Sequence, residues 1–225
     1  MNSTGKSSWR PALPIGATLL TLMMLVPLSQ LSGCGDSNSS STTAANQPNS
    51  EEPSPAGDPD YPDYTVVEVE AGEDFEQRAL EAMITASPKT IIQLPAGVYD
   101  LSGELSISVD SIVLRGTGMD AENGTVLRFD NQTTGSQSIL ATGDNFVVED
   151  LAVENSPGDG IKIKDSNGVT IRGVRIEWTN GPDTDNGAYG LYPVGTRNVL
   201  IEDSEVRGAS DAGVYVGQSE KIIVR

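Results

Sequence analysis

The sequence FVVEDLAV at residues 146–153 recurs twice, as VTIRGVRI at residues 169–176 and as VLIEDSEV at residues 199–206. In each copy the first, third and eighth positions are apolar, and the fifth is Asp or Gly. A fourth copy begins with IIVR at residues 222–225, so the first positions are 23, 30 and 23 residues apart. Alternating apolar residues indicate strands with one inward face, and a repeat near this length indicates solenoid coils that bury their inward residues by stacking.

A second strand follows each complete copy, as GIKI at residues 160–163, GLYP at 190–193 and GVYV at 213–216. Stacked coils place equivalent residues above one another, about 4.8 Å apart. We therefore predict three columns: an apolar column inside, a corner column where Asp and Gly tolerate an open turn, and a hydroxyl column after the second strand. In that order, the members are Phe146, Val169, Val199 and Ile222; Asp150, Gly173 and Asp203; and Ser166, Thr196 and Ser219.

A different unit precedes the repeat. Residues 73–86 carry an apolar stripe of Phe75, Ala79, Leu80, Met83 and Ile84 and are followed by Pro88, which predicts a short helix. Short apolar strands follow at residues 91–94, 105–107 and 112–116. We expect this unit to cap the open end of the strand stack; the alternative is a small α+β domain of its own.

The repeat resembles the right-handed parallel β-helix proteins of the pectin-lyase-like superfamily. The resemblance covers residues 65–225 and includes the motif of Leu94, Pro95, Gly97 and Tyr99 after the helix. The predicted fold class is all-β, a right-handed parallel β-helix solenoid with an N-terminal capping helix. Residues 189–194 (YGLYPV) are also similar to the Tyr-Gly-Phe-Asp-Pro-His element of mannuronan C5-epimerases, but Tyr192 replaces the catalytic Asp and Val194 replaces the His. We therefore expect residues 189–194 to share the local conformation of that element but not its catalytic activity.

The N-terminus has the features of a secretion signal. Lys6 and Arg10 precede an apolar stretch at residues 12–28, and LSGC at residues 31–34 resembles the lipobox of bacterial lipoproteins. The resemblance implies that Cys34 is acylated and, because Gly35 follows it, that the protein is anchored in the outer membrane of a Gram-negative cell envelope. The alternatives are an ordinary signal peptide with an incidental cysteine and a permanent transmembrane helix. The combination also resembles an uncharacterised bacterial family of β-helix envelope lipoproteins.

Three regions are therefore predicted: a signal peptide at residues 1–33, the acylated cysteine with a disordered linker at 34–64, and the β-helix at 65–225. The linker prediction rests on its acidic, Ser-, Thr-, Asn- and Pro-rich composition. Because residue 225 lies only four residues into a repeat copy, we also expect the sequence to be an N-terminal fragment of a longer protein, with further coils beyond it.

Composition excludes several function classes. The net charge of −18 argues against a nucleic-acid partner, because phosphate contacts need clustered cations. The chain contains no histidine, which excludes Ser-His-Asp triads and His-ligated metals. Its single cysteine cannot form an internal disulfide.

The strongest candidate site is a column on the second strands. Lys162, Tyr192 and Tyr215 follow the opening glycines by two residues and should point outward on consecutive coils. Tyrosines beside a lysine suit sugar rings, by stacking and hydrogen bonding; the alternative is that they pack only on each other and on a neighbouring loop.

An acidic loop should border this column. The 30-residue coil carries seven extra residues, which fall at residues 178–189. There Asp183, Asp185 and Asn186, with Asp159 and Asp211 on the adjacent coils, offer hard oxygen ligands to Ca²⁺; the alternative is a solvated Asx-rich turn. We expect no required cofactor and no other metal.

These features predict an outer-membrane lipoprotein whose β-helix binds a polysaccharide, and they leave open whether it also modifies that polysaccharide. One alternative is a β-helix lyase, C5-epimerase or glycoside hydrolase. A uronate lyase or epimerase needs a basic side chain, commonly Arg or Lys in β-helix lyases, and the candidates are Lys162, Lys164, Arg172, Arg175, Arg197 and Arg207. The other alternative is a non-catalytic scaffold that pairs with an envelope protein. The catalytic residues are not assigned.

Overall fold

The computed structural model describes Asp58 and residues 60–225. In this part of the chain there are fifteen strands and one helix, and every strand pair is parallel. In chain order the elements are β1 (Thr65–Glu68), α1 (Phe75–Thr85), β2 (Thr90–Gln93), β3 (Gly97–Asp100), β4 (Leu105–Ile107), β5 (Ile112–Arg115), β6 (Thr125–Arg128), β7 (Gln137–Ala141), β8 (Val147–Glu154), β9 (Asp159–Lys164), β10 (Asn167–Glu177), β11 (Tyr189–Val194), β12 (Arg197–Glu202), β13 (Glu205–Arg207), β14 (Ala212–Val214) and β15 (Glu220–Val224).

The strands stack into two parallel sheets, and the β-helix prediction is confirmed. The first sheet follows the order β1-β2-β5-β8-β10-β12-β15, with β3, β6 and β13 beside it, and the second follows β14-β11-β9-β7-β4. The apolar column forms as predicted, since Val169 pairs with Val199, Val199 pairs with Ile222, and the Thr170 amide bonds to the carbonyl of Phe146 at 3.0 Å. Residues 23 or 30 apart in sequence are therefore direct neighbours.

The corner column adopts the conformation expected of it. Asp150, Gly173 and Asp203 have φ angles of 56°, 60° and 48°, in the left-handed region that Gly and Asp tolerate better than other residues. The hydroxyl column is also present. Thr196 is buried, with 1% of its surface exposed, and its amide donates a hydrogen bond to Ser219 Oγ at 3.0 Å. Local turn chemistry thus repeats from coil to coil.

The helix α1 covers the first coils and belongs to the same hydrophobic core. Phe75, Ala79 and Met83 are buried in the cluster that runs through the coils, so the alternative of a separate α+β domain is wrong. The predicted stripe was wrong at Ile84, which is 78% exposed, and it omitted the buried Ala82. At 100° per residue, Ile84 lies 180° from Phe75, whereas Ala82 lies within about 20° of it.

The predictions for the signal peptide and for Cys34 concern residues outside those that the structure describes. The same holds for most of the predicted linker at residues 34–64. At its described end, Asp58 and Tyr61 contact the β-helix, through Arg115 and Glu149, so chain that packs on the coils begins before residue 65. None of the helical structure described for residues 58 and 60–225 has the length and apolar character needed to cross a bilayer.

Candidate functional site

The predicted column of Lys162, Tyr192 and Tyr215 forms on the outer side of the second sheet. Tyr192 pairs in register with Lys162, and the Tyr215 amide donates to the carbonyl of Leu191 at 3.0 Å. Leu191 is fully buried, while Tyr215 is 40% exposed, so the alternation that places the column outward is as expected. Residues 30 and 23 apart in sequence thereby meet on one surface.

A third tyrosine, Tyr189, joins this column. Its ring centroid lies 4.6 Å from that of Tyr215, with the ring planes 17° apart, and 4.8 Å from that of Tyr192. The rings of Tyr192 and Tyr215 are themselves 5.3 Å apart and tilted by 45°. We call Lys162, Tyr189, Tyr192 and Tyr215 the tyrosine face.

Strict alternation along the strand missed Tyr189, because it assigns this residue to the same side as Leu191. The break lies at Gly190: a Cβ atom there would come within 2.3 Å of Cγ1 of Val206, so Gly190 turns towards the interior. Since Gly190 and Leu191 both turn inward, Tyr189 lies on the outer side. The opening glycine was visible in the sequence, but the side to which it turns was not.

The lysine of the tyrosine face is held between a ring and a carboxylate. Lys162 Nζ lies 4.7 Å from the ring centroid of Tyr192, within the range of a cation–π interaction, and 3.3 Å from Asp159 Oδ2. The Asp159 side chain is only 14% exposed. Asp159 is therefore engaged as the partner of Lys162.

The other predicted rim acid, Asp211, lies beside Tyr189. Partial burial of the ring, together with the neighbouring Asp211 carboxylate and its hydrogen bond to the phenol, raises the pKa of Tyr189. Tyr189 therefore stays protonated at neutral pH and presents a hydroxyl group. The tyrosine face thus offers aromatic rings with hydroxyl edges and one ammonium group, with the carboxylates of Asp159 and Asp211 beside it.

The inserted loop at residues 178–189 borders this face as predicted. The Asp185 amide donates to Asp183 Oδ1 at 2.9 Å, and Asn186 Nδ2 donates to the carbonyls of Gly181 and Gly208 at 2.9 and 2.7 Å. Asn186 therefore closes the loop and ties it to the next coil, and Asp183 and Asp185 are exposed. Across residues 58 and 60–225, no three Asp, Glu or Cys side chains are grouped to hold a metal ion.

Trp178 anchors the beginning of the loop. Its indole Nε1 donates to the carbonyl of Ser156 at 2.7 Å, and the side chain is only 4% exposed. A Cβ atom on Gly187 would lie 1.6 Å from the carbonyl oxygen of Gly158 and 2.8 Å from Cζ2 of Trp178, so the loop returns to the coil by a close backbone contact. These contacts fix the loop at both ends next to Tyr189.

The cations considered as candidate bases have carboxylate partners. Lys162 pairs with Asp159, Arg172 with Glu149 at 2.6 Å, and Arg175 with Glu154 at 2.9 Å. Longer pairs hold Lys164 to Asp165 and Arg197 to Glu220, and Arg207 pairs closely with Glu205 and at 3.8 Å with Glu177. An arginine or lysine base for proton abstraction would have to leave its partner first.

The first sheet carries an ion ladder on its outer side, which the sequence reasoning missed. Arg115, Glu149, Arg172, Glu202 and Arg225 lie in register on successive coils with alternating charge. The Glu149 carboxylate accepts hydrogen bonds from Arg115 Nε and Arg172 Nη2, each at 2.6 Å, and its side chain is 3% exposed. The sequence did contain a signal for this ladder, because the fourth position of the repeat is Glu149, Arg172 and Glu202 in successive copies.

The match to a known family agrees with this architecture. A family model described as the right-handed β-helix region matches residues 109–225. No curated protein matches the chain at a significant level. Among solved structures, a protein from Parabacteroides merdae ATCC 43184, provisionally described as a glycosyl hydrolase, aligns with 67% of this chain and 86% of its own chain, at 14% identity and a TM-score of 0.35.

Proposed function

Because the chain belongs to the right-handed β-helix family, we propose that its tyrosine face is a polysaccharide-binding surface. The observation that carries the proposal is the meeting of Tyr189, Tyr192 and Tyr215 on neighbouring coils beside Lys162. Aromatic rings suit the apolar faces of sugars, and phenol and ammonium groups at their edges suit sugar hydroxyls. Because the Tyr189 and Tyr215 rings already stack on each other, a glycan would contact the ring surfaces that remain exposed and the hydroxyl groups at their edges.

The surrounding charge favours an uncharged glycan over a polyuronate. The chain has a net charge of −18. Asp183 and Asp185 are exposed in the loop that ends at Tyr189, Asp211 lies beside Tyr189, and Lys162 is already paired with Asp159. An anionic polymer would be repelled unless cations bridged it to these carboxylates. Ca²⁺, with its preference for carboxylate oxygens, is the bridging ion that we propose for that case.

The same contacts lead us to propose that the protein functions in binding rather than in catalysis. The candidate basic residues are paired with carboxylates, and Tyr192 occupies the position at which the resembling epimerase element has its Asp. A lyase, epimerase or hydrolase is the catalytic alternative, and a scaffold for an envelope partner protein is the non-enzymatic one.

We further propose that the protein is a lipoprotein of the outer membrane, with Cys34 as the acylated N-terminal residue after removal of residues 1–33. The support is the LSGC sequence at residues 31–34 and the charged and apolar segments before it. Mass spectrometry of the N-terminal peptide tests this directly, because acylation adds the mass of its fatty acids. A mature protein that begins elsewhere, or an unmodified Cys34, would exclude it.

The binding proposal is tested with a panel of uncharged glycans and polyuronates, each with and without Ca²⁺. We expect an uncharged glycan to bind, and Tyr215→Ala to weaken its affinity about tenfold, or about 1.4 kcal/mol, as expected for the loss of one stacking ring. Lys162→Ala and Lys164→Ala form a matched pair, because Lys162 lies over Tyr192 whereas Lys164 pairs only with Asp165.

Each outcome of the panel separates the functions. Loss of affinity in Tyr215→Ala and Lys162→Ala, with Lys164→Ala unchanged, supports the binding surface. Products released from a glycan support the enzymatic alternative. If no glycan binds, or if the three variants bind as the unmodified protein does, the tyrosine face is not the binding surface.

A further inference from the structure

The segment at residues 58 and 60–64, which we call the N-terminal segment, lies on the outer side of the first sheet. The Asp58 carboxylate pairs with the guanidinium of Arg115. Tyr61 Oη donates to Glu149 Oε2 at 3.1 Å, and Arg172 Nη2 donates to Tyr61 Oη at 3.4 Å. The Arg115 guanidinium carbon also lies 5.2 Å from the centroid of the Tyr61 ring. The segment therefore engages three successive rungs of the ion ladder.

Apolar side chains on the outer side of the first coils are also buried. Ile91 and Val113 alternate with the core residues Ile92 and Leu114 and so point outward, and neither belongs to the core cluster. Both are nevertheless fully buried. On a coil that the segment does not reach, Ile223 occupies the equivalent outward position and is 58% exposed. The outer side of the first coils is therefore buried at this position, whereas that of the last coil is exposed.

The shape of the N-terminal segment is set by its own hydrogen bonds. The amides of Asp60 and Tyr61 donate to Asp58 Oδ1 at 3.0 and 3.2 Å, and the Tyr64 amide donates to the Tyr61 carbonyl at 3.0 Å. The Tyr61 and Tyr64 rings lie 5.3 Å apart. An Asx turn of this kind orders the segment locally, which lowers the conformational entropy lost when it docks.

The docked segment determines where the chain enters the β-helix. The two sheets enclose one core, so their outer sides face away from each other; the segment lies on the first sheet and the tyrosine face on the second. We propose that residues 58 and 60–64 are a docking motif for the ion ladder, which fixes the entry of the chain into the β-helix on the outer side of the first sheet. The motif leaves the tyrosine face, on the second sheet, uncovered by this segment.

Hydrogen exchange tests the docking. In the full-length protein the amides of Tyr61 and Tyr64 should be protected, and the double variant Asp58→Asn/Tyr61→Phe, which removes both contacts to the ladder, should speed their exchange about ten- to a hundredfold. Asp63→Asn is the matched control, because Asp63 is 80% exposed and lies 3.9 Å from Lys89, away from the ladder. The exchange rates of the amides in β8 and β10 should not change. Equal exchange in the double variant and the unmodified protein would overturn the docking motif.

Spin-label distances test the position of the segment. In a Cys34→Ser background, a label at the exposed Asp60→Cys is paired with a label at Leu200→Cys on the first sheet or at Val194→Cys on the second. We expect a narrow distance distribution for each pair, with the shorter distance to residue 200, and broad distributions for both pairs once Asp58→Asn/Tyr61→Phe is added. A distance to residue 194 that is equal or shorter, or broad distributions before that change, would refute docking on the first sheet.

Discussion

Glu149→Gln should be among the most destabilising polar substitutions on the surface of the first sheet. The carboxylate is 3% exposed and accepts hydrogen bonds from Arg115 Nε and Arg172 Nη2, each at 2.6 Å, and from Tyr61 Oη at 3.1 Å. Glutamine keeps the shape of the side chain but removes the charge. Its amide group would also face donors, because all three partners donate to this position.

The magnitude follows from the burial of the partners. Removing one member of a buried ion pair costs about 3–5 kcal/mol, because the remaining charge has lost its partner. Here Arg115 is 15% exposed and keeps Asp58, and Arg172 is 41% exposed and can be solvated. We therefore expect a loss near the lower limit, about 3 kcal/mol in the free energy of unfolding.

Glu220→Gln is the matched control. It makes the same chemical change in another ladder-type pair, but Glu220 and Arg197 are 65% and 66% exposed and 3.6 Å apart, so we expect less than about 1 kcal/mol. Urea-induced unfolding at neutral pH, followed by circular dichroism, gives both values from the transition midpoints and slopes. Equal losses for the two variants, or a loss below 1 kcal/mol for Glu149→Gln, would refute the argument that burial controls the strength of the ladder.

Three further changes test other contacts. Gly173→Ala should lower the free energy of unfolding in urea by about 1–2 kcal/mol, because φ is 60° and the new Cβ would lie 2.6 Å from a carboxylate oxygen of Asp150. Gly181→Ala is the control that separates backbone strain from this clash, because Gly181 also has a positive φ but has open space around it. Trp178→Phe should lower stability by about 1–3 kcal/mol in the same assay, since the Ser156 carbonyl loses its buried donor. Burial and the Glu149 charge raise the pKa of Tyr61 to about 12, so its stabilising effect should disappear as the pH rises from about 10 to 12, and an ultraviolet titration of phenol ionisation should lose this late phase in Tyr61→Phe.

The sequence predicted the repeating part of the fold because each coil makes the same local choices. Apolar alternation fixed which side of each strand is buried, and Asp150 and Gly173 occupy the corner because few residues tolerate its positive φ. The helix α1 was found from its periodicity, but Ile84 was assigned to the wrong side. Its position, 180° from Phe75, shows that a short apolar run does not by itself define the buried stripe.

The tyrosine face was only partly predictable. Lys162, Tyr192 and Tyr215 lie at equivalent repeat positions, so the repeat brings them together in any stack of these coils. Tyr189 joins them only because Gly190 turns inward against Val206, a contact between coils that alternation within one strand does not encode. The loop closure by Asn186 is also a contact between coils, and it was not visible from an acidic composition.

By itself, the sequence determined the strand repeat, the corners and the residues that share an outward column, because these depend on local conformation and on a constant spacing. Only the tertiary structure decided which charges of the first sheet the N-terminal segment pairs with. Asp58 is 57 residues from Arg115, and Tyr61 is 88 residues from Glu149. These contacts depend on the path that a non-repeating segment takes over the stacked coils, and the repeat pattern of the sequence gives no information about that path.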